Sequence, residues 1–229
     1  MLVKLLTYTP DPERVVAAAA RLCYSDASID ALLDSDADAR QAFLQKITSL
    51  GHLSVLEHVG FSFGVEGISR ACSHQLVRHR LASYSQQSQR YVSHKKRFSA
   101  VTPDSIAAQP ELNQRYQQLL DEIHRFYGEM LDADIPAEDA RFMLPNAATT
   151  KIVVTMNGRE LRHFFALRCC RRAQWEIQEM AKQMLQRVKP IAPTLFAKAG
   201  PGCLSGPCPE GKMTCGEIVA VREEFASFG

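Results

Sequence analysis

The stretch TTKIVVTMNGRELRHFFALRCC, residues 149–170, predicts a strand that runs directly into a helix. β-Branched residues dominate its first half, which is typical of a buried strand. In the second half, Leu161, Phe164 or Phe165, and Arg168 recur at spacings of three and four, so they share one face of a helix. The segment therefore predicts a strand–helix pair in which an arginine lies in line with an apolar stripe.

The same helix carries two other polar residues on a different face. Arg159 and His163 are four positions apart, so their side chains point the same way, and Arg168 points another way. A buried arginine needs a partner, because an uncompensated one costs several kcal/mol. Two interpretations of Arg168 stay open: an internal ion pair with an acid such as Glu160 or Glu176, or a contact with a bound ligand.

Outward from this segment, apolar periodicity predicts elements of both kinds. They are a strand at 2–8, helices at 11–25 and about 36–50, a strand around 59–65, a helix from 68 to about 80, a helix at about 110–132, a short helix from 136 that ends before 145, and a helix at 173–188. We expect an α+β fold with helices packed against a central sheet. One catalytic domain, 1–199, would precede a Gly/Pro/Cys-rich tail, 200–229.

Composition limits the classes of function. The 229 residues carry a net charge of +2, too small to indicate a polyanionic partner. The N-terminal apolar run is too short for a signal peptide, and no stretch approaches the roughly 20 apolar residues needed to cross a bilayer. Seven scattered cysteines suit reduced thiols better than a disulfide framework. We expect a cytoplasmic protein that binds neither membrane nor nucleic acid.

The stretch RHRLASYSQQSQRY, residues 78–91, holds three arginines, one histidine, three glutamines, three serines and no acid. Arginine suits phosphate because its planar fork makes paired, charge-assisted hydrogen bonds. The polar run after Arg80 shows neither helical nor strand period, so we expect an ordered loop. Glycine-rich phosphate loops are absent from the sequence, so any nucleotide is held without them. A solvated basic loop is the alternative.

Other candidates have competing interpretations. Cys169 and Cys170 follow an arginine and could be activated nucleophiles, or they could be small residues that fill a helix interface. His52 and His58 lack the spacing of a zinc-protease helix and are expected to be structural. In the tail, the C-x4-C-x6-C spacing that begins at Cys203 fits a zinc site or a closing loop.

Taken together, these motifs resemble the flavin-dependent thymidylate synthases. The signature of that family, Arg-His-Arg, seven residues and Ser, matches residues 78–88. GHLSVLEH, ARFMLP and NGRELRHFFALRCCRRAQWEI match in order and approximate spacing, so the resemblance covers roughly 1–198. It implies a homotetramer with FAD between subunits that converts dUMP to dTMP. The carbon would come from methylenetetrahydrofolate and the electrons from NADPH through the flavin.

The resemblance also implies residue roles. FAD would be held by Ser54, Arg78, His79, Arg80, Gln86, Asn157, Arg159 and His163. The nucleotide dUMP would be held by Gln75, Arg78, Gln86, Gln87, Ser88, Gln89, Arg90, Arg141 and Arg168. Arg168 would be the catalytic residue, because a fixed guanidinium stabilises negative charge on the pyrimidine as carbon 5 becomes a nucleophile. No metal is implied. Two positions depart from some members, which carry an acid at Gln86 and an asparagine at His163.

Two other functions remain open on the sequence. A flavin-free methyltransferase would use Cys169 or Cys170 to attack carbon 6 of the pyrimidine. An RNA-binding module would use segment 78–97, including His94, Lys95, Lys96 and Arg97, with Tyr84 and Tyr91 as stacking platforms. The small net charge argues against the second.

Overall fold

The computed structural model describes residues 1–34, 36–93 and 97–228. Its strands are β1 (Leu2–Tyr8), β2 (Gly60–Ser69), β3 (Ala82–Gln86) and β4 (Thr149–Asn157). They form a small antiparallel sheet in the order β1-β2-β4-β3. Its helices are α1 (Pro12–Leu22), α2 (Ile29–Leu33), α3 (Ala37–Ser49), α4 (Arg70–Leu76), α5 (Asp104–Ala107), α6 (Pro110–Asp132), α7 (Ala137–Ala140), α8 (Gly158–Arg168), α9 (Trp175–Val188), α10 (Pro193–Phe196) and α11 (Ile218–Ala226). The predicted α+β class is confirmed.

The chain divides into two compact units. The first consists of Met1–Leu2, Val65–Arg78 and Tyr84–Val153, and the second of Val3–Gly64, His79–Ser83 and Val154–Gly229. The division into a catalytic domain, 1–199, and a tail stays a prediction. Of the helices in the described part of the chain, none is both long enough and apolar enough to span a bilayer.

In the first unit, the core lies under helix α6. Phe98, Leu120 and Ala148 are buried together, and Tyr116 and Ile123 pack against them. Another row on the same helix stays in solvent: Leu112, Leu119 and Phe126 are 53%, 49% and 46% exposed. The apolar stripe that periodicity predicts on α6 is therefore only partly buried within this unit.

In the second unit, aromatic rings hold helix α8 in place. Phe164 and Phe165 are fully buried. Phe165 meets Phe196 edge-on with ring centroids 6.1 Å apart, and Phe196 meets Phe61 in the same manner at 5.5 Å. Edge-to-face contacts at these distances stabilise the core beyond simple area burial. Because Phe61, Phe165 and Phe196 are all fully buried, this aromatic cluster anchors α8, which also carries the polar residues Arg159, His163 and Arg168.

Several predicted boundaries were wrong. The helix expected to reach Arg80 ends at Leu76. The run expected to be a loop forms strand β3 over Ala82–Gln86. Its inward positions carry polar groups, so hydrophobic alternation was absent from the sequence. Strand β4 is buried on one face only, since Lys151 and Val153 are exposed. Helices α2, α5, α10 and α11 were not predicted, and α1 ends at Leu22 rather than at 25.

The junction between β4 and α8 leaves no room for a side chain at Gly158. A Cβ there would lie 2.9 Å from the carbonyl oxygen of Leu56 and 3.2 Å from Cγ2 of Val59. The backbone N–H of Gly158 also donates to the carbonyl of Val59 at 2.9 Å. This close approach ties the start of α8 to the segment before β2.

We therefore expect Gly158→Ala to lower the free energy of unfolding by about 1–3 kcal/mol, the usual cost of overpacking. Gly128→Ala is the matched control, because Gly128 lies within α6 and a Cβ there would meet nothing within 4 Å. That change should be neutral or stabilising by about 0.5–1 kcal/mol. Thermal unfolding monitored by circular dichroism compares the two, and equal melting temperatures would contradict the prediction.

Candidate functional site

In the first unit, Gln86 is held by two hydroxyl groups. Its Nε2 donates to Oγ of Ser73 at 2.9 Å and to Oγ1 of Thr150 at 3.2 Å. Both hydroxyl groups belong to buried residues. The neutral amide of Gln86 is therefore hydrogen-bonded at this position without a charge. Gln86 also lines a cavity of about 260 Å³ together with Arg70 and Gln89.

Two predicted dUMP ligands of the first unit meet at Glu138. Arg90 Nε donates to Oε2 of Glu138 at 2.8 Å, and Arg141 Nε donates to its backbone carbonyl at 3.0 Å. The Arg90 and Glu138 side chains are about half exposed, 51% and 48%, so the pair contributes little to stability. The structure thus brings two guanidinium groups around one residue that a ligand can displace.

A third guanidinium in this unit was missed by sequence reasoning. Burial lowers the pKa of Arg70, and the charge of Arg141 lowers it further, so these two cations lie within electrostatic range of each other. Arg70 is the first residue of α4 and follows the capping Ser69. A basic residue directly after a helix cap was the available signal, since helix N-termini also attract anions.

The other predicted ligands of the first unit lie on short connections. Ser88 Oγ accepts from the backbone N–H of Arg90 at 3.2 Å, and the Gln87 backbone N–H donates to the carbonyl of Lys151 at 2.9 Å. Gln75 lies in the last turn of α4, and Arg78 is exposed just beyond it.

In the second unit, three predicted FAD ligands line one cavity. It has a volume of about 750 Å³, and Asn157, Arg159 and His163 contribute to its wall. Arg159 also pairs with Oε1 of Glu57 at 2.6 Å, with both side chains about half exposed. The cavity is of the size at which small-molecule and cofactor sites occur.

The same cavity contains two cations that sequence reasoning did not select. Arg162 and Lys198 line it, and so does the apolar side chain of Leu81. Burial lowers the pKa of Arg162, whose Nη1 donates to the carbonyl of Leu195 at 2.7 Å. Helical spacing offered a signal for Arg162, since it follows Arg159 by three positions on α8.

The remaining predicted FAD residues lie on the edges of secondary structure. Ser54 begins the 3-10 helix Ser54–His58 and is exposed, as is Arg80. Asn157 caps α8 because its Oδ1 accepts from the backbone N–H of Glu160 at 2.8 Å.

Arg168 has a partner that the sequence did not indicate. Its Nε donates to Nε2 of His79 at 3.0 Å, and Nδ1 of His79 lies 3.1 Å from Oε1 of Glu160. His79 and Glu160 are both buried. One of the two acids considered for Arg168, Glu160, is therefore connected to it through an imidazole.

Cys169 is not a reactive thiol. Cys169 is fully buried, and burial raises the pKa of its thiol far above that of an ordinary cysteine. A thiol in this state is not a nucleophile near neutral pH. Across residues 1–34, 36–93 and 97–228, no three His, Cys, Asp or Glu side chains are grouped so as to hold a metal ion. The zinc hypothesis for the tail therefore has no support from side-chain geometry.

The basic segment proposed for RNA is only partly described, because His94, Lys95 and Lys96 lie outside the described residues. Arg97 forms an ion pair with Asp121. Tyr91 is 82% exposed, whereas Tyr84 is partly buried and its hydroxyl donates to the carbonyl of Leu76 at 2.9 Å. One of the two expected stacking platforms is thus engaged inside the fold.

Known proteins match nearly the whole chain. The family model described as thymidylate synthase complementing protein matches residues 4–194. A flavin-dependent thymidylate synthase of Geobacter sulfurreducens is 58% identical over 227 residues, which are 98% of each chain. One of Clostridium tetani is 44% identical over 97% of this chain and 96% of its own.

A solved structure shares the fold. The flavin-dependent thymidylate synthase ThyX of Helicobacter pylori, complexed with FAD and dUMP, superimposes with a TM-score of 0.69. The match covers 87% of this chain and 100% of that one, at 24% identity.

Proposed function

This chain belongs to the flavin-dependent thymidylate synthases, and on this premise we propose that it converts dUMP to dTMP with FAD as cofactor. The observation that carries the proposal is the 58% identity to a synthase of that name over 98% of both chains. The two donor-rich regions of the structure support it, since a nucleotide and a flavin each need fixed cations and hydrogen-bond donors.

The residues around the cavity of about 750 Å³ fit FAD. Arg159, Arg162 and Lys198 supply positive charge suited to a pyrophosphate, and Leu81 supplies an apolar surface. We propose that Ser54, Arg78, His79, Arg80, Gln86, Asn157, Arg159 and His163 take part in holding it. When bound, the flavin supplies the hydride that the methylation consumes. The chain itself binds and orients this group.

The cations of the first unit fit dUMP. Arg90 and Arg141 meet at Glu138 through weak, exposed contacts, so both can turn to a nucleotide phosphate at low cost. We propose that dUMP is bound by Gln75, Arg78, Gln86, Gln87, Ser88, Gln89, Arg90, Arg141 and Arg168. Ser88 serves as a hydrogen-bond donor to the nucleotide.

Arg168 is proposed as the catalytic residue. Carbon 5 of uracil must become nucleophilic, which places negative charge on the ring nitrogen and carbonyl 4. A guanidinium that is already fixed in place stabilises this charge without reorganising during the reaction. The hydrogen bond from Arg168 to buried His79 provides such fixation.

Methylenetetrahydrofolate as carbon donor and NADPH as reductant complete the proposed reaction. We also propose a homotetramer with sites between subunits. The exposed row Leu112, Leu119 and Phe126 on α6 supports assembly, because a monomer seldom leaves aligned large apolar side chains in water. Sedimentation equilibrium measures the state directly, and a monomer at micromolar concentration would contradict this part.

The function is tested on purified protein. We expect a flavin absorbance spectrum, and after reduction by NADPH we expect reoxidation under anaerobic conditions only when dUMP and methylenetetrahydrofolate are both added. Formation of dTMP is followed by chromatography in the same samples. A colourless protein that makes dTMP, or a yellow one that never does, would contradict the proposal.

A cysteine mechanism predicts a different outcome from ours. The proposed reaction uses no thiol, and burial raises the thiol pKa of Cys169, so we expect Cys169→Ala and Cys170→Ala to keep turnover within about threefold of the parent. Rates of dTMP formation are measured below each variant's melting temperature, so that lost packing does not count as lost chemistry. Loss of activity in a folded, FAD-loaded variant would instead favour attack by a thiolate.

A further inference from the structure

One face of α8 carries a carboxylate and a guanidinium that are linked by an imidazole from another segment of the chain. Glu160, Phe164 and Arg168 follow at intervals of four residues, so they lie in one line along the helix. Eight residues correspond to about 12 Å of helical rise. The carboxylate of Glu160 and the guanidinium of Arg168 are joined through His79, whose two ring nitrogens bond one to each of them.

The hydrogen bonds determine which nitrogen of His79 carries the proton. Arginine Nε always bears hydrogen and can only donate. Arg168 Nε lies 3.0 Å from Nε2 of His79, so Nε2 must be the acceptor. The proton of the neutral ring is then on Nδ1, which donates to Oε1 of Glu160 at 3.1 Å.

Packing fixes the ring in this orientation. The imidazole is buried and meets the ring of Phe164 edge-on, with centroids 4.9 Å apart and planes at 79°. The ring of His163 is a second neighbour, with its centroid 6.0 Å from that of His79. A ring held in this way cannot rotate freely to exchange its two nitrogens.

The surroundings also favour the neutral ring. Burial lowers the pKa of His79 most, while the hydrogen bond and charge of Glu160 raise it and the charges of Arg168 and His163 lower it. The net direction is downward from 6.5. His79 can therefore accept from Arg168 throughout the neutral range.

We propose that His79 is a positioning residue that locks the guanidinium of Arg168 through Nε, leaving both terminal nitrogens free to face the uracil ring of dUMP. Glu160 fixes the tautomer that makes this possible. The inference rests on the proposed function for its consequence in catalysis, but the tautomer can be measured without substrate. It adds a role to His79 beyond its predicted contact with FAD.

A pH dependence follows from this geometry. Protonation puts hydrogen on Nε2, which removes the acceptor and sets two cations against each other. Turnover should fall as pH drops through the pKa of His79, which lies below 6.5, and should be retained above it. Glu160→Gln removes a charge that raises the pKa of His79. The acid limb of the pH–rate profile of this variant should therefore move to lower pH.

Kinetics of three variants test the role. We expect His79→Ala to lower kcat about 10- to 100-fold, the loss of one hydrogen bond to a charged group, with a smaller change in KM for dUMP. His79→Gln, whose amide can donate and accept but does not titrate, should recover part of kcat and flatten the acid limb. His124→Gln, on α6, is the control histidine and should keep the wild-type profile.

Nitrogen-15 NMR of wild-type protein labelled at histidine keeps the proposal testable if a variant fails to fold. We expect Nδ1 to be protonated and Nε2 to be unprotonated at pH 7.5, with a shift of Nε2 in Arg168→Ala. An Nε2–H tautomer, or an acid limb that stays in place in His79→Gln and Glu160→Gln, would overturn the proposal. If wild-type protein forms no dTMP, the proposed function fails while the NMR result still decides the tautomer.

Discussion

Replacing Arg168 by alanine is expected to lower kcat for dTMP formation about 100- to 1,000-fold, the usual effect of removing one preorganised charge-stabilising group. His79 holds the guanidinium at 3.0 Å, so little reorganisation of this group is needed during the reaction. FAD should stay bound, because the cavity proposed to hold it is lined by Arg159, Arg162 and Lys198 and not by Arg168.

Arg172→Ala is the matched control for this experiment. Arg172 is exposed and lies four residues along the chain, so its loss removes the same charge from the protein without touching His79. We expect that variant to turn over at the wild-type rate. Flavin absorbance gives the FAD content of each sample, and single-turnover reoxidation gives the chemical rate. Near-normal turnover in FAD-loaded Arg168→Ala would rule out Arg168 as the activating residue.

The sequence predicted correctly those helices and strands whose own apolar residues show a clear helical or strand spacing. Helix α6 spans Pro110–Asp132, the range expected from its apolar spacing, and strand β1 spans Leu2–Tyr8 as expected. Strand β4 ends at Asn157 and helix α8 begins at Gly158. At this point the spacing of apolar residues changes from two, typical of a strand, to three or four, typical of a helix. Such elements are visible in sequence because their own side chains define the buried face.

Strand β3 was not visible for the opposite reason. Its residues alternate between partly buried and exposed, yet Tyr84 and Gln86 on the inner side are polar and bond to Leu76, Ser73 and Thr150. These bonds are made by polar groups, and Thr150 lies 64 positions from Gln86, so no local hydrophobic pattern records the pairing. A polar strand is therefore read as a loop from sequence alone.

The candidate site shows the same limit. Helical spacing correctly separates Arg168 from Arg159 and His163 on α8, but it cannot show what Arg168 contacts. His79 is 89 positions away and comes from another segment of the chain. Its hydrogen-bond partners depend on tertiary packing against Phe164, which no spacing within either segment specifies.

The second large effect is expected on nucleotide affinity. Arg90→Ala and Arg141→Ala should each weaken dUMP binding by about 1.5–3 kcal/mol, the value of a hydrogen bond to a charged group. The dissociation constant would rise about 10- to 150-fold. Calorimetric titration of FAD-loaded protein with dUMP measures this, and Arg97→Ala is the control, because Arg97 is an exposed arginine of the same unit already paired with Asp121.

Replacing Glu138 is expected to change dUMP affinity in the opposite direction from replacing Arg90. In the structure, Arg90 donates through Nε to the carboxylate of Glu138 at 2.8 Å, so this negative charge competes with a nucleotide phosphate for the same guanidinium. The pair is about half exposed and worth at most about 1 kcal/mol. Glu138→Gln should therefore leave dUMP affinity unchanged or raise it up to about fivefold. Weaker binding in Glu138→Gln, together with unchanged affinity in Arg90→Ala, would mean that Glu138 and not Arg90 contacts the nucleotide.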